Sequence, residues 1–114
     1  MKVNSKRAPK TVTNDASSVR FAIVLYDRLI KDVSRAGDAL AHRRPEQCAT
    51  EIGHALAVIG YLQAIQRRGG RRDVARKLGG FYIMLREKLM EAQVRRSRQI
   101  LSELQQQLRE RREP

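Results

Sequence analysis

Apolar side chains recur in steps of three and four along most of the chain, and this spacing constrains its fold more than any other feature. One face of an α-helix receives a residue at every third or fourth position, so the repeat predicts amphipathic helices around a shared core. We expect a first helix with Ser17 or Ser18 as its N-cap. Its buried face comprises Val19, Ala22, Tyr26, Leu29, Val33, Ala36 and Leu40, widened by Ile23 and Ile30.

Proline, glycine and polar capping residues divide the rest of the chain into three more helices. Pro45 disfavours helical geometry in the residue before it, so the first helix ends near residues 42–44 and Pro45 opens the second. The pair Gly69–Gly70 ends the second helix. Asp73 and Ser97 are the candidate N-caps of the third and fourth helices. Short connections between four helices predict an all-α, antiparallel up-and-down four-helix bundle.

The predicted bundle occupies residues 18–112, and residues 1–17 form a flexible basic N-terminal arm or carry a short extra helix. Glycines inside the helices indicate places of close approach. Gly53 and Gly60 lie seven residues apart on one face of the second helix, where a neighbouring helix is expected to come near. The pair Gly79–Gly80 predicts a kink, a close crossing or a place where a partner's backbone lies.

Composition agrees with a single helical domain. The chain has 114 residues and only 4% aromatic residues, and it is rich in Ala, Leu, Arg, Gln and Glu, which favour helices over strands. The lone Cys48 forms no internal disulfide, and no apolar run approaches the roughly 20 residues that span a bilayer. The N-terminus lacks the apolar stretch of a secretory signal. We therefore expect a cytoplasmic protein without membrane insertion.

Positive charge is the feature that composition leaves to be explained. Lys and Arg number 24 against 12 Asp and Glu, so the formal net charge is +12, which attracts anionic partners. A basic cluster around Gly69–Gly70 predicts an anion-attracting surface formed by Arg67, Arg68, Arg71 and Arg72. Nucleic acid is one candidate partner. However, no aromatic residue interleaves with the arginines to stack on bases, and no helix-turn-helix pattern occurs.

Signals of catalysis are scarce. His42, Cys48 and His54 are each six residues apart, so they do not share a helical face at metal-ligand spacing. Acidic residues occur singly and beside arginines, as on solvated helix faces. We expect no enzyme activity, no metal site and no cofactor.

The second and third helices carry more apolar residues than a single stripe requires. The surplus includes Val58, Leu62, Ile83 and Met84. Wide apolar faces belong to central helices of a bundle, but they also suit a groove that receives an amphipathic partner helix. The pattern leaves both interpretations open.

Short motifs in a fixed order resemble the FliS family of flagellar export chaperones over roughly residues 17–110. Residues 23–30, Ile-Val-Leu-Tyr-Asp-Arg-Leu-Ile, resemble the signature of that family's first helix. After the double glycine, the family's acidic, aliphatic and alanine pattern is matched by Asp73, Val74, Ala75 and Leu78. The residues that resemble the next family motif are Tyr82, Lys88, Leu89, Glu91, Ala92 and Gln93.

The resemblance implies a cytoplasmic chaperone that binds the C-terminal segment of flagellin, prevents its premature polymerisation and delivers it to the type III export apparatus. It also implies contacts with an export-gate component. The expected partner-binding residues are Leu25, Tyr26, Asp27, Tyr82, Leu89 and Ala92, with Leu62 added from the apolar surplus. Several of these also fall on the predicted core stripes, where they would hold helices together.

Some residues depart from the family pattern. Arg28 replaces the glycine that usually follows Tyr-Asp, and residues 1–20 lack the tyrosines that commonly cover the flagellin site. Arg71 and Arg72 are extra, and family members are not usually this basic. A same-fold paralogue that chaperones a different secreted client is therefore an alternative, as is a basic bundle that binds nucleic acid.

Overall fold

The computed structural model describes residues 16–68 and 72–112, with side chains described for 17–68 and 76–112. These ranges form four α-helices and contain no strand. The predicted arm lies outside the described residues except for its last two positions, as do Gly69, Gly70 and Arg71. The helices are α1 (Ala16–Ala41), α2 (Pro45–Arg68), α3 (Arg72–Arg95) and α4 (Arg98–Arg112).

The helices pack in a ring, which confirms the predicted four-helix bundle. α1 lies against α2 and α4, and α3 contacts the same two helices. Residues 42–44 join α1 to α2, and residues 96–97 join α3 to α4, so each connection reverses the chain. Tyr26, in the first half of α1, contacts Leu108 near the end of α4, as an antiparallel pair requires.

Two helices end in the same hydrogen-bonded motif, with arginine in a left-handed conformation. Arg43 has φ 57° and Arg96 has φ 51°. After α3, the Arg96 N–H donates to the Gln93 carbonyl at 3.3 Å and the Ser97 N–H to Ala92 at 3.0 Å. This is the Schellman arrangement, in which glycine is the usual left-handed residue. Arginine takes this conformation against the steric preference of its Cβ.

The helix starts agree with the prediction in part. Pro45 opens α2, and Ser97 caps α4 because its Oγ accepts a 3.1 Å hydrogen bond from the Ile100 N–H. The predicted N-caps of the other two helices are wrong: Ser17, Ser18 and Asp73 lie inside their helices, which begin at Ala16 and Arg72. Serine and aspartate are also favourable inside a first turn, so their presence does not fix the boundary.

The glycines make fewer close contacts than their spacing indicates. A Cβ at Gly53 would meet nothing within 4 Å, and one at Gly60 would meet only the Arg86 guanidinium at 4.0 Å, so the predicted close approach there is wrong. α3 runs as one helix through Gly79 and Gly80. Among the described glycines, Gly79 has the nearest neighbour, because its Cβ would stand 3.5 Å from the side chain of Gln66 on α2.

The core lies between the four helices and is almost entirely apolar. Val58 and Leu62, from the apolar surplus, are buried in it, Met84 packs against it, and Ile83 is exposed. α2 is the one described helix that is long and apolar enough to cross a membrane by length and composition. Its position against both α1 and α3 accounts for that apolarity. The buried residues of α2 are Cys48, Ile52, Ala55, Val58, Ile59 and Leu62.

Candidate functional site

The predicted partner-binding residues divide into a buried group and a group on the surface of α1. Leu25 and Tyr26 are half-buried, and Asp27 is exposed. A partner reaches the buried group only if the helices separate, so in this structure these side chains hold the bundle together. The buried group is Leu62, Tyr82, Leu89 and Ala92.

Tyr26 of α1 forms a hydrogen bond to the last turns of α4. Its hydroxyl donates a 2.8 Å hydrogen bond to the backbone carbonyl of Leu108. Burial, with a smaller effect from the neighbouring Tyr82 phenol, raises the pKa of Tyr26 to about 12. Burial also raises the pKa of Tyr82. The Tyr26 phenol therefore keeps its proton and acts as a hydrogen-bond donor at neutral pH.

Two arginines at the end of α4 complete this attachment. Arg112 donates from Nε to Asp27 Oδ1 at 2.8 Å and from Nη2 to Oδ2 at 3.4 Å, a fork-like pair on the surface. The hydrogen bond from Arg112 holds the pKa of Asp27 below its usual range. Arg111 lies 4.0 Å above the ring of Phe81 on α3, a cation–π contact. The last turn of α4 is thus held to both α1 and α3.

α4 is too short to cover α1. At 1.5 Å per residue, the 26 residues of α1 span about 39 Å and the 15 residues of α4 about 22 Å. Arg112, the last described residue of α4, lies beside Asp27. The face of α1 that Tyr26 turns toward α4 continues through Ile23, three residues earlier, and Val19, seven residues earlier. These two side chains extend beyond the end of α4.

The apolar repeat predicts that Val19 and Ile23 lie in the buried stripe, but this prediction is wrong. Val19 is 57% exposed and Ile23 is 40% exposed. The apolar repeat correctly identifies the face of α1, but within residues 16–68 and 72–112 no helix lies against its first turns on that side. The signal was present in the sequence, because the leucine repeat of the fourth helix stops at Leu108 and is followed by charged residues.

Further exposed apolar side chains lie at the same end of the bundle. Phe21 is 53% exposed, and Val24 and Tyr61 are each 62% exposed. Asp32 of α1 lies level with residues 51–54 of α2, and the helices are antiparallel, so Val24 lies level with residues 59–62. A helix turns about 100° per residue, so Phe21 and Val24 lie on other sides of α1 than Val19 and Ile23. We call the exposed pair Val19 and Ile23, which continues the side of α1 that α4 covers, the apolar surface.

Cationic side chains surround the apolar surface. Of the predicted anion-attracting residues, Arg67 and Arg68 are exposed in the last turn of α2, while Arg71 and the side chain of Arg72 lie outside the described part. α2 ends where α1 begins, so these charges flank the apolar surface. Other exposed cations at this end of the bundle are Arg20, Arg76, Lys77 and Arg109.

A second exposed apolar strip runs along the outer face of α3. Ile83 and Met90 lie seven residues apart, and Val94 follows four residues later, so helix geometry places the three on one face. Each is more than half exposed, and Val94 is 83% exposed. The strip lies on a different helix from the apolar surface and provides a comparison for it.

The isolated histidines and cysteine occupy different environments. Cys48 is buried, and burial raises the pKa of its thiol, as for an inert core cysteine. His42 follows α1, and its Nδ1 lies 2.8 Å from the carbonyl oxygen of Asp38. His54 is exposed on α2 and lies beside Glu51 at 3.5 Å. The three residues therefore lie at separate places in the bundle: after α1, in the core and on the surface of α2.

Comparison with known proteins agrees with this architecture. The FliS family, described as flagellar protein FliS, matches residues 2–114, which is essentially the whole chain. No curated protein matches the chain at a significant level. The family match extends across all four helices and the motif of α1 that contains Tyr26 and Asp27. The chain belongs to the FliS family of flagellar proteins.

Proposed function

We propose that the chain is a cytoplasmic flagellar export chaperone that binds the C-terminal segment of flagellin, prevents its premature polymerisation and delivers it to the type III export apparatus. Family membership supports the flagellar chaperone role. The observation that carries the mode of binding is the apolar surface beyond the end of α4. A disordered amphipathic segment can fold against such a surface as a helix and bury its own apolar face.

The partner-binding residues contribute to this function in two ways. Leu25, Tyr26 and Asp27 border the apolar surface, and we propose that they contact the client directly. The buried residues predicted for the site support the helices that present this surface. Those supporting residues are Leu62, Tyr82, Leu89 and Ala92.

The charges around the apolar surface favour a client segment with acidic residues on its polar face. Exposed Arg67 and Arg68 lie in the last turn of α2, next to the first turns of α1. Opposite charges at the rim of an interface speed association and weaken as salt rises. The same cations are suited to docking at an acidic export component.

Calorimetric titration with flagellin from the same organism tests the proposal. We expect a 1:1 complex with a dissociation constant in the micromolar range or tighter. Val19→Asp places a charge in the interface and forfeits the burial of a valine, so binding weakens about 10- to 100-fold. No binding at micromolar concentrations would contradict the proposal.

Val94→Asp is the matched control, since it makes the same substitution at an exposed valine on α3. We expect it to bind flagellin within twofold of the wild type. Both valines are exposed, so both variants are expected to fold, which thermal melting checks. An equal loss in the two variants would contradict a site at the apolar surface.

Nucleic-acid binding is the second candidate function, favoured by the exposed arginines and the net charge of +12. It predicts an affinity whose logarithm falls steeply with the logarithm of salt concentration. Val19→Asp would leave this affinity unchanged, because the apolar surface takes no part in it. Failure to retain duplex or single-stranded nucleic acid at low salt removes this candidate.

A further inference from the structure

Three side chains that can coordinate a metal ion meet where α1 packs against α2. Asp32 lies on α1, and Glu51 and His54 lie on α2; one ligand atom of each is within 4.8 Å of the others. Glu51 and His54 are three residues apart and share a helical face. Helical bundles use this Glu-x-x-His spacing, with a carboxylate from another helix, to hold metal ions.

The buried oxygens in this cluster lack hydrogen-bond partners. Asp32 is 0% exposed, and its Oδ2 accepts no hydrogen bond. The Oε1 of Glu51 is also buried without one, and His54 Nδ1 lies 3.5 Å from it. Burying carboxylate oxygens without partners costs free energy. A cation between them would remove that cost.

Arg28 satisfies only part of this cluster. Its Nε donates to Asp32 Oδ1 at 3.0 Å, which leaves Oδ2 free to face α2. The Arg28 side chain is half exposed, so water screens its charge. Asp32 therefore retains both an unpaired oxygen and the capacity to ligate an ion.

We propose that Asp32, Glu51 and His54 form a binding site for a divalent transition-metal ion, with Zn²⁺ as the reference ion. Two carboxylates and an imidazole are ligands that zinc accepts, and the half-exposed His54 leaves room for water at a fourth position. Zinc ligands stand about 3.4 Å apart in a tetrahedral site, so the side chains close by about 1 Å. The bound ion links α1 to α2 and stabilises the bundle independently of client binding.

Titration of the full-length, chelator-treated chain with Zn²⁺ and with Co²⁺ tests the proposal. We expect one equivalent of Zn²⁺ to bind and Co²⁺ to show the visible absorption of a four- or five-coordinate site. Saturating Zn²⁺ raises the melting temperature by about 5–10 °C. No Zn²⁺ binding up to millimolar concentration overturns the proposal.

Substitutions of the ligands locate the ion. Asp32→Asn, Glu51→Gln and His54→Gln should each weaken Zn²⁺ binding about tenfold or more. His54→Gln changes an exposed side chain and is expected to leave the fold intact. His42→Gln and Cys48→Ala are the controls and retain binding. Binding that survives all three ligand substitutions, or that is lost in either control, overturns the assignment.

Discussion

Removing the hydroxyl of Tyr26 tests how α4 is held to the bundle. It donates a 2.8 Å hydrogen bond to the Leu108 carbonyl across 82 residues of chain. Tyr26→Phe removes one oxygen and leaves the ring in place. A hydrogen bond between neutral groups contributes about 0.5–1.5 kcal/mol net, and this one is partly buried. We therefore expect the free energy of unfolding to fall by about 1 kcal/mol.

Urea unfolding followed by circular dichroism measures this change, and the melting temperature should fall by about 4 °C. Tyr61→Phe is the matched control, because it removes the same oxygen from a tyrosine that is 62% exposed. We expect it to change the free energy of unfolding by less than about 0.5 kcal/mol. An equal loss in the two variants, or none for Tyr26→Phe, would refute the attachment of α4 through this bond.

Alkaline unfolding gives a separate measurement, that of the burial of the Tyr26 phenol. Burial raises the pKa of Tyr26 from 10.0 to about 12. Between these values the unfolded chain has released the phenol proton and the folded chain retains it, so stability falls as pH rises from about 10 to about 12. Below pH 10 the contribution is fully present. Tyr26→Phe should make this decline shallower, and an unchanged decline would contradict the burial of the phenol.

Two further predictions concern backbone conformation. Arg96→Gly should raise the free energy of unfolding by about 0.5–1 kcal/mol, because glycine adopts the left-handed conformation at φ 51° without a steric penalty. A lower free energy of unfolding, measured with urea, would contradict this. Gly53→Ala should stabilise by about the same amount, since the added Cβ meets nothing within 4 Å inside a helix. A lower melting temperature of the alanine variant would show a contact that the structure does not contain.

The apolar repeat predicted the four helices and the faces that form the core. It did so because helical period and burial are both local properties of the sequence, as at Leu29 and Leu85, which are fully buried. Pro45 and Ser97 also act locally, and both were placed correctly. The exposure of Val19 was not predicted, because burial of this side chain depends on the length of a helix that begins about 80 residues later.

The polar contacts of the structure were beyond the reach of sequence spacing. Tyr26 was expected on a core stripe, but its partner is a backbone carbonyl of α4. Asp27 was a candidate for partner contact, and the structure pairs it with Arg112 across 85 residues. Asp32 was not singled out, because only the register of α1 against α2 brings it to Glu51. Each contact depends on tertiary packing, which no local pattern encodes.

The short α4 links stability to the proposed function. Two to three more turns of apolar helix would cover Val19 and Ile23, and burying such side chains contributes about 1.5–3 kcal/mol each. Instead, the leucine repeat ends at Leu108, and the following arginines fasten the helix end through Asp27 and Phe81. A client helix lying on the apolar surface would continue the line of α4 and bury what α4 leaves exposed. If the client binds as proposed, the free energy of burying Val19 and Ile23, which does not stabilise the free chain, contributes to binding in the complex.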